Sequence, residues 1–387
     1  MKILHTIASL VPETGGPARS VTGLCNALAN KDVQVQLVSL DLGAKFAPPM
    51  RPASPWVTTT LVPRQVAKGL RQIWVPKFQQ TLQTLAGSGE IHLIHDHGLW
   101  EPSNRAAAQT AVKHNLPLVI SPRGTLEPWA RRQKFLKKQV AWHLYQQRNL
   151  ASAAVLHATA EAEAEHLRQL NLWQPIALIP NGLELPILTT TKHNKPASDR
   201  KTILFLSRIH PVKGLLNLVE AMRLVQPQGW RVVIAGPDSN GHQAEVQAAI
   251  HAADLGEAFI FVGAVDDHAK WSLYQQADLF VQPSFSENFG ISIADALASG
   301  VPTIATQATP WAEIEQRHCG WWVEVGAAPL AQALREATQL DDSCRWEMGQ
   351  NGRLLIEQKY TWPAIAEQMT AVYDWILHGG TTPTCIV

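Results

Sequence analysis

Short apolar runs recur along this chain. Each is closed by a turn rich in glycine, proline or polar residues, and most lead into a helical stretch. In the first half the runs are Lys2–Ser9, Val33–Leu40, Thr58–Val62, Ile91–Asp96, Leu118–Ser121, Ala153–Ala158 and Pro175–Pro180. A polar, threonine-rich stretch over 185–201 breaks the series. It resumes with Thr202–Leu206, Arg231–Ala235, Phe259–Val262, Leu279–Gln282, Pro302–Thr306 and Gly320–Val323. Strands of this length that alternate with helices read as parallel sheets covered on both faces. A chain of 387 residues is long enough for about two such domains. The expectation is therefore α/β: two Rossmann-like domains with parallel sheets facing an interdomain cleft. They would span 1–184 and 202–360, with a linker at 185–201 and a terminal helix over 361–378.

In α/β sheets the ligands sit beyond the C-terminal ends of the strands, so the turns there carry the chemistry. The richest is 282–302, which reads as strand end, polar turn, short helix and stop. Pro283 and Ser284 break the strand. Glu287, Asn288, Phe289 and Gly290 form the turn, and Gly290 lets backbone approach a ligand closely. The helix that begins at Ile291 ends at Gly300 and Pro302. Its N-terminus, at Gly290 and Ile291, suits a phosphate, and Glu287 beside it suits sugar hydroxyls. Asp295 lies one turn further on the same helix face. Arg208 and Lys213 bracket another strand-to-helix turn, where a guanidinium fork and an ammonium can clamp a diphosphate. Gly15 and Gly16 follow the first strand in a phosphate-approach geometry, and a plain turn reads equally well; the dinucleotide fingerprint is absent. His95-Asp96-His97 ends the strand at 91–96, and no third or fourth ligand stands near it in sequence, so no metal is expected. Arg123 sits in a Ser-Pro-Arg-Gly turn at another strand end, placed for a phosphate or an acceptor.

Together these motifs resemble the retaining glycosyltransferases of family four, which have the GT-B architecture. Glu287, Phe289, Gly290, Gly300 and Pro302 match the donor-binding signature, with Asp295 where the family has a second glutamate. The resemblance implies that Glu287 lies near the donor sugar and that the acid at 295 meets the nucleotide ribose, a contact weakened by the shorter side chain. It implies that Arg208 and Lys213 bind the donor phosphates and stabilise the leaving group. Gly15 and Gly16 would lie near those phosphates, His97 at the reaction centre, and Asn181 near the cleft. Val265, in the turn Gly263-Ala264-Val265, would border the base, and Gly236 ends another strand of the rim. The terminal helix would cross back to the first domain. The Ser-Pro-Arg-Gly turn is similar to that of bacterial polysaccharide-synthesis members.

Charge is unevenly spread. Residues 1–182 carry 19 Lys+Arg against 10 Asp+Glu, a net +9; the remainder carries 14 against 22, a net −8. The first half is thus suited to an anionic surface or ligand. Its most basic stretch, 129–149, reads as an amphipathic helix, and no acid occurs from Pro128 through Ala160. It can lie reversibly on anionic lipid headgroups. The alternative is a solvated basic face over a core-facing stripe of Leu136, Val140 and Leu144. No signal peptide is recognisable, no apolar run approaches the ~20 residues of a membrane span, and four scattered cysteines suggest a reducing compartment. A cytoplasmic protein is expected, held peripherally on the inner face of the plasma membrane.

The implied function is transfer of a sugar from a UDP- or GDP-sugar to a hydroxyl of a glycan or lipid-linked saccharide in cell-surface polysaccharide synthesis. No cofactor is expected and, with no Asp-x-Asp motif, no metal; nucleic acid is not an expected partner. Two alternatives stand beside it: a sugar-nucleotide epimerase of the same architecture, and a non-catalytic membrane-surface protein that uses the basic half.

Overall fold

The computed structural model describes residues 1–64, 75–126, 135–186 and 200–387. The chain divides into two compact units, one formed by Met1–Gly182 with Trp362–Val387 and the other by Leu183–Thr361. Most of the expected linker, 187–199, lies outside the described residues.

The first unit holds a seven-stranded sheet: β1 (Lys2–Ser9), β2 (Gln34–Asp41), β3 (Val57–Pro63), β4 (Leu93–His97), β5 (Leu118–Ser121), β6 (Val155–Ala158) and β7 (Ile176–Leu178), in the order β3-β2-β1-β4-β5-β6-β7. Its strand pairs are parallel. Neighbouring residues point to opposite faces, as the pleat requires. Leu4, Ile94, Ile120 and Leu156 pack toward helices Pro76–Gly87 and Pro102–His114. Ile3, Leu93, Val119 and Val155 pack toward helices Gly16–Ala29 and Trp362–His378. The last helix buries Ile365, Ala366, Met369, Val372 and Tyr373, one helical stripe, in that core. At its start the Trp362 ring lies between Gly23 and Gly182. A Cβ on either glycine would come within 2.1 and 2.3 Å of the ring, so only glycine fits.

The second unit holds six parallel strands: β8 (Lys201–Leu206), β9 (Trp230–Ala235), β10 (Phe259–Gly263), β11 (Leu279–Gln282), β12 (Thr303–Thr306) and β13 (Gly320–Val323), in the order β10-β9-β8-β11-β12-β13. Ile203, Phe205, Val232 and Val281 face helices Leu215–Val225 and Ala327–Gln339. Leu204, Val233 and Phe280 face helices Ile291–Ala298 and Asp342–Lys359. In each sheet the strand order reverses once, between β1 and β4 and between β8 and β11. Loops diverge at such a point and leave a ligand crevice.

One alternative from the sequence is overturned. Leu136, Val140 and Leu144 do not face the core; they are 78%, 59% and 70% exposed on the helical stretch 135–151. Their spacing of four keeps them on one face, and it is the outer face. The most basic part of that stretch, with Arg131, Arg132 and Lys134, lies outside the described residues.

Candidate functional site

In the second unit the turns after β8, β9, β10 and β11 touch one another. Gly214 has φ +71° and packs so closely on the Pro283 carbonyl that a Cβ would lie 2.0 Å from its oxygen. The Phe285 amide donates to the Val212 carbonyl at 2.8 Å. These two contacts bring the Lys213 turn and the Glu287 turn together. Lys213 Nζ donates to Glu287 Oε1 in an ion pair with both side chains nearly buried. The same oxygen accepts from Ser284 Oγ at 3.0 Å and from Gln282 Nε2 at 3.2 Å. Three groups thus fix one carboxylate, which costs little further reorganisation when a ligand arrives. Arg208 is exposed on the neighbouring turn. Gly236, packed on the Ser207 carbonyl, donates its N–H to the Gly263 carbonyl at 2.7 Å and so joins the turn that carries half-buried Val265 to this rim.

Gly290 caps helix Ile291–Ala298 with φ +79°, a conformation in which alanine is strained. The Phe289 ring, expected at the donor, is instead buried against Trp311 and Tyr360, with centroids 5.3 and 5.9 Å away, and Trp311 Nε1 donates to its carbonyl. Phe289 therefore shapes the turn from inside, while Asn288 and Ile291 are half-buried beside it. Asp295 is buried, and its Oδ2 accepts from Lys270 Nζ at 2.8 Å. Lys270 had no sequence signal, because it comes from a separate helix, Asp267–Gln276.

In the first unit His97, Arg123 and Asn181 come together. Arg123 Nη1 donates to Asn181 Oδ1 at 2.7 Å and to Ser20 Oγ at 3.0 Å, and Nη2 lies 3.2 Å from His97 Nδ1. Arg123 itself has φ +58°. A left-handed arginine costs roughly 1 kcal/mol, and such strain persists where the surroundings hold it. Here Glu163 holds it: Oε1 accepts from the Gly124 amide at 2.6 Å and Oε2 from the Thr159 amide at 2.8 Å. Gly15, with φ +101°, caps the helix that starts at Gly16, and Ser20 lies one turn on.

Behind this group the sheet is polar. His5, His95, His97 and His157 are all buried. Burial, and then the Arg123 charge, push His5 and His157 down to about 3, and burial holds His95 and His97 well below the usual imidazole range. All four are neutral near pH 7. Asp96, bonded by Thr6 Oγ1 at 2.6 Å and Asn104 Nδ2 at 2.9 Å, is pushed up to about 7 by burial. The sequence offered no third ligand beside His95 and His97; the fold supplies one, because β1 lies next to β4 and brings His5 to them. One ring nitrogen from each of the three lies within 4.8 Å of the other two. Each of those nitrogens, however, already has a hydrogen-bond neighbour within the protein, and the adjacent cation, Arg123, opposes a metal ion there.

Comparison with known proteins agrees on one family. The profile described as "Glycosyl transferase 4-like domain" matches residues 15–182, and that described as "Glycosyl transferases group 1" matches 189–355. A "GDP-mannose:cellobiosyl-diphosphopolyprenol alpha-mannosyltransferase" from Komagataeibacter xylinus is 22% identical over 97% of this chain and 94% of its own length. A "Phosphatidyl-myo-inositol mannosyltransferase" from Mycobacterium leprae is 30% identical over 54% of this chain and 58% of its own. Among solved structures, sucrose-phosphate synthase from Thermosynechococcus elongatus superposes with a TM-score of 0.78 at 20% identity, covering 98% of this chain and all (100%) of that one. HepE from Anabaena, solved in complex with UDP and glucose, superposes with a TM-score of 0.75 at 20% identity, covering 96% and 99%. At these identities the two structures show a common GT-B fold.

Proposed function

From the premise that this chain belongs to the group 1 glycosyl transferases of family four, we propose that it is a retaining, metal-independent hexosyltransferase. It moves a sugar from a nucleotide-diphosphate donor to a hydroxyl of a glycan or lipid-linked saccharide. The observation that carries this reading is the Lys213–Glu287 pair, held beside exposed Arg208 and the Gly290 helix start. As the bond from the anomeric carbon to the phosphate oxygen breaks, negative charge grows on the diphosphate. Arg208, Lys213 and the N–H groups at Gly290 and Ile291 stabilise it. Glu287 orients the donor hydroxyls. Asn288 and Val265 border the nucleotide, and the Asp295–Lys270 pair stands where the family acid meets the ribose. The acceptor oxygen bonds to the anomeric carbon on the face the phosphate leaves, and its proton passes to the departing phosphate oxygen. In the first unit Gly15, Gly16, Arg123, His97 and Asn181 are assigned to donor or acceptor binding, with Arg123 as the cation.

Relatives named for GDP-mannose and a neighbour solved with UDP make those two nucleotides the first probes. The relatives' polyprenol-linked acceptor supports a lipid-linked saccharide here. So does the exposed stripe of Leu136, Val140 and Leu144 in an acid-free segment, which suits an anionic membrane surface. No helix among the described residues is long and apolar enough to cross a membrane.

The test is thermal stabilisation by UDP, GDP and their sugars. A ligand at about 100 times its dissociation constant adds roughly 2.7 kcal/mol. Stabilisation by one nucleotide that disappears in Glu287→Gln supports the reading. No stabilisation by any nucleotide, with or without lipid-linked saccharide present, refutes it. An epimerase would convert the donor with no acceptor added, so product analysis without acceptor separates the two.

A further inference from the structure

The buried polar groups behind Arg123 are joined end to end. Arg123 Nη2 lies 3.2 Å from His97 Nδ1, and His97 Nε2 lies 3.0 Å from His5 Nδ1. His5 Nε2 is 3.5 Å from the Tyr373 hydroxyl, which is 2.6 Å from His95 Nδ1. His95 Nε2 is 2.7 Å from Ser121 Oγ, and Ser121 Oγ is 2.6 Å from His157 Nδ1. His157 Nε2 is 2.8 Å from the Ile179 carbonyl oxygen.

The two ends settle where each proton sits. A guanidinium can only donate and a carbonyl can only accept. Arg123 therefore donates to His97 Nδ1, which leaves the His97 proton on Nε2, pointing to His5. The same step repeats at His5, at the Tyr373 hydroxyl, at His95, at Ser121 and at His157. Every link then runs in one sense, and all four imidazoles carry their proton on Nε2. A second proton on any ring would set two donors against each other. The path crosses β1, β4, β5 and β6, which are neighbours in the sheet, and reaches helix Trp362–His378 through Tyr373. It ends two residues before Asn181, whose side chain grips Arg123 at the other end. The chain of bonds thus closes on the cation where it starts.

We propose that His5, His95, Ser121, His157 and Tyr373 are positioning residues, a one-way hydrogen-bond relay that locks His97 and Arg123 in a single orientation for ligand. This rests on the reading that Arg123 and His97 serve the donor or acceptor. No proton moves along the relay. Its contribution is to make the first unit's cation rigid before substrate binds, as pre-organised sites require. Aligned hydrogen bonds of one sense also polarise one another and strengthen the hold on His97.

The test uses the full chain labelled with 15N-histidine. Long-range proton–nitrogen correlation spectra distinguish the two neutral tautomers and the cation, and single His→Gln variants assign the signals. The relay predicts neutral Nε2–H rings at all four positions from pH 8 to about pH 5. A ring at any of the four that is protonated on Nδ1, or that titrates in that range, overturns it. So does cobalt(II) at one equivalent producing a ligand-field spectrum that His5→Gln abolishes, because the rings would then be metal ligands. In His5→Leu the His97 Nε2 proton loses its acceptor, and its slow exchange with water should become fast. That readout needs no turnover, so it judges the relay even if the transferase reading fails. With a donor in hand, turnover of His5→Leu and of Tyr373→Phe should fall about tenfold or more, donor KM should stay within about twofold, and His5→Asn should recover most of the loss. Parent-like turnover in both His5→Leu and Tyr373→Phe overturns the positioning role.

Discussion

Acid should loosen the first unit, and His157 supplies a measurable share of that effect. Its imidazole ordinarily titrates near 6.5, and burial pushes it down to about 3. Between those values the unfolded chain binds a proton that the folded chain refuses. Stability therefore falls as pH falls, from about 6.5 downward, by about 1.4 kcal/mol per pH unit. From pH 7 to pH 5 this comes to about 2 kcal/mol for His157, and His5, also at about 3, adds a similar amount. His95 and His97 act in the same direction. Asp96 opposes them. Its carboxyl, ordinarily near 3.8, is pushed up to about 7, so the folded chain holds the extra proton and stability rises as pH falls. That returns about 2 kcal/mol over the same interval. The net direction is still loss. Replacing His157 by glutamine keeps a donor toward the Ile179 carbonyl and removes the titrating ring. The fall in stability from pH 7 to pH 5 should then be smaller by about 2 kcal/mol, whatever the variant's starting stability. Native-state hydrogen exchange at β1 and β4 amides reads the first unit alone. Parallel pH dependences in the parent and His157→Gln would refute the reasoning.

Other perturbations probe other contacts. Lys213→Ala leaves the Glu287 carboxylate nearly buried without its cation and should cost about 3 kcal/mol in the second unit; urea denaturation with nucleotide absent checks it. Gly23→Ala should destabilise the chain, although alanine is the better helix former by ~1 kcal/mol, because its Cβ would meet the Trp362 ring at 2.1 Å; a thermal melt gives the sign. Replacing Leu136, Val140 and Leu144 together with serine should change stability little, within about 0.5 kcal/mol for each exposed site, yet abolish co-sedimentation with anionic vesicles.

The alternation of strands and the turns after them were legible because burial on both faces and glycine-bearing stops leave a strong local imprint. Glu287, Lys213 and Gly290 announced themselves through turn chemistry, and the fold puts the first two in contact. Arg123, His97 and Asn181, read separately at three strand ends, prove to be one cluster. What stayed hidden depends on lateral order in the sheet. His5 sits in the middle of an apolar strand, 90 residues before His95, and nothing local says that β1 and β4 are neighbours. Tyr373 looks like one more apolar position on a helical stripe. Glu163 and Lys270 look like ordinary surface charges until their partners, the Gly124 amide and Asp295, are seen. The outward stripe at Leu136 has helical spacing, and spacing alone does not say which side of a helix meets water.

The lodging of Trp362 between Gly23 and Gly182 also bears on how this protein is made. A ribosome delivers residues 1–182 first, and domains generally fold in the order in which they emerge. Here that order cannot be completed. One covering helix of the first unit, along with the indole that fills the space over its two glycines, arrives only after all of the second unit has been synthesised. Until then Ile3, Leu24 and Val119 lie under an uncovered face, and a nascent chain paused before Trp362 holds an unfinished first unit beside a second that has every strand it needs.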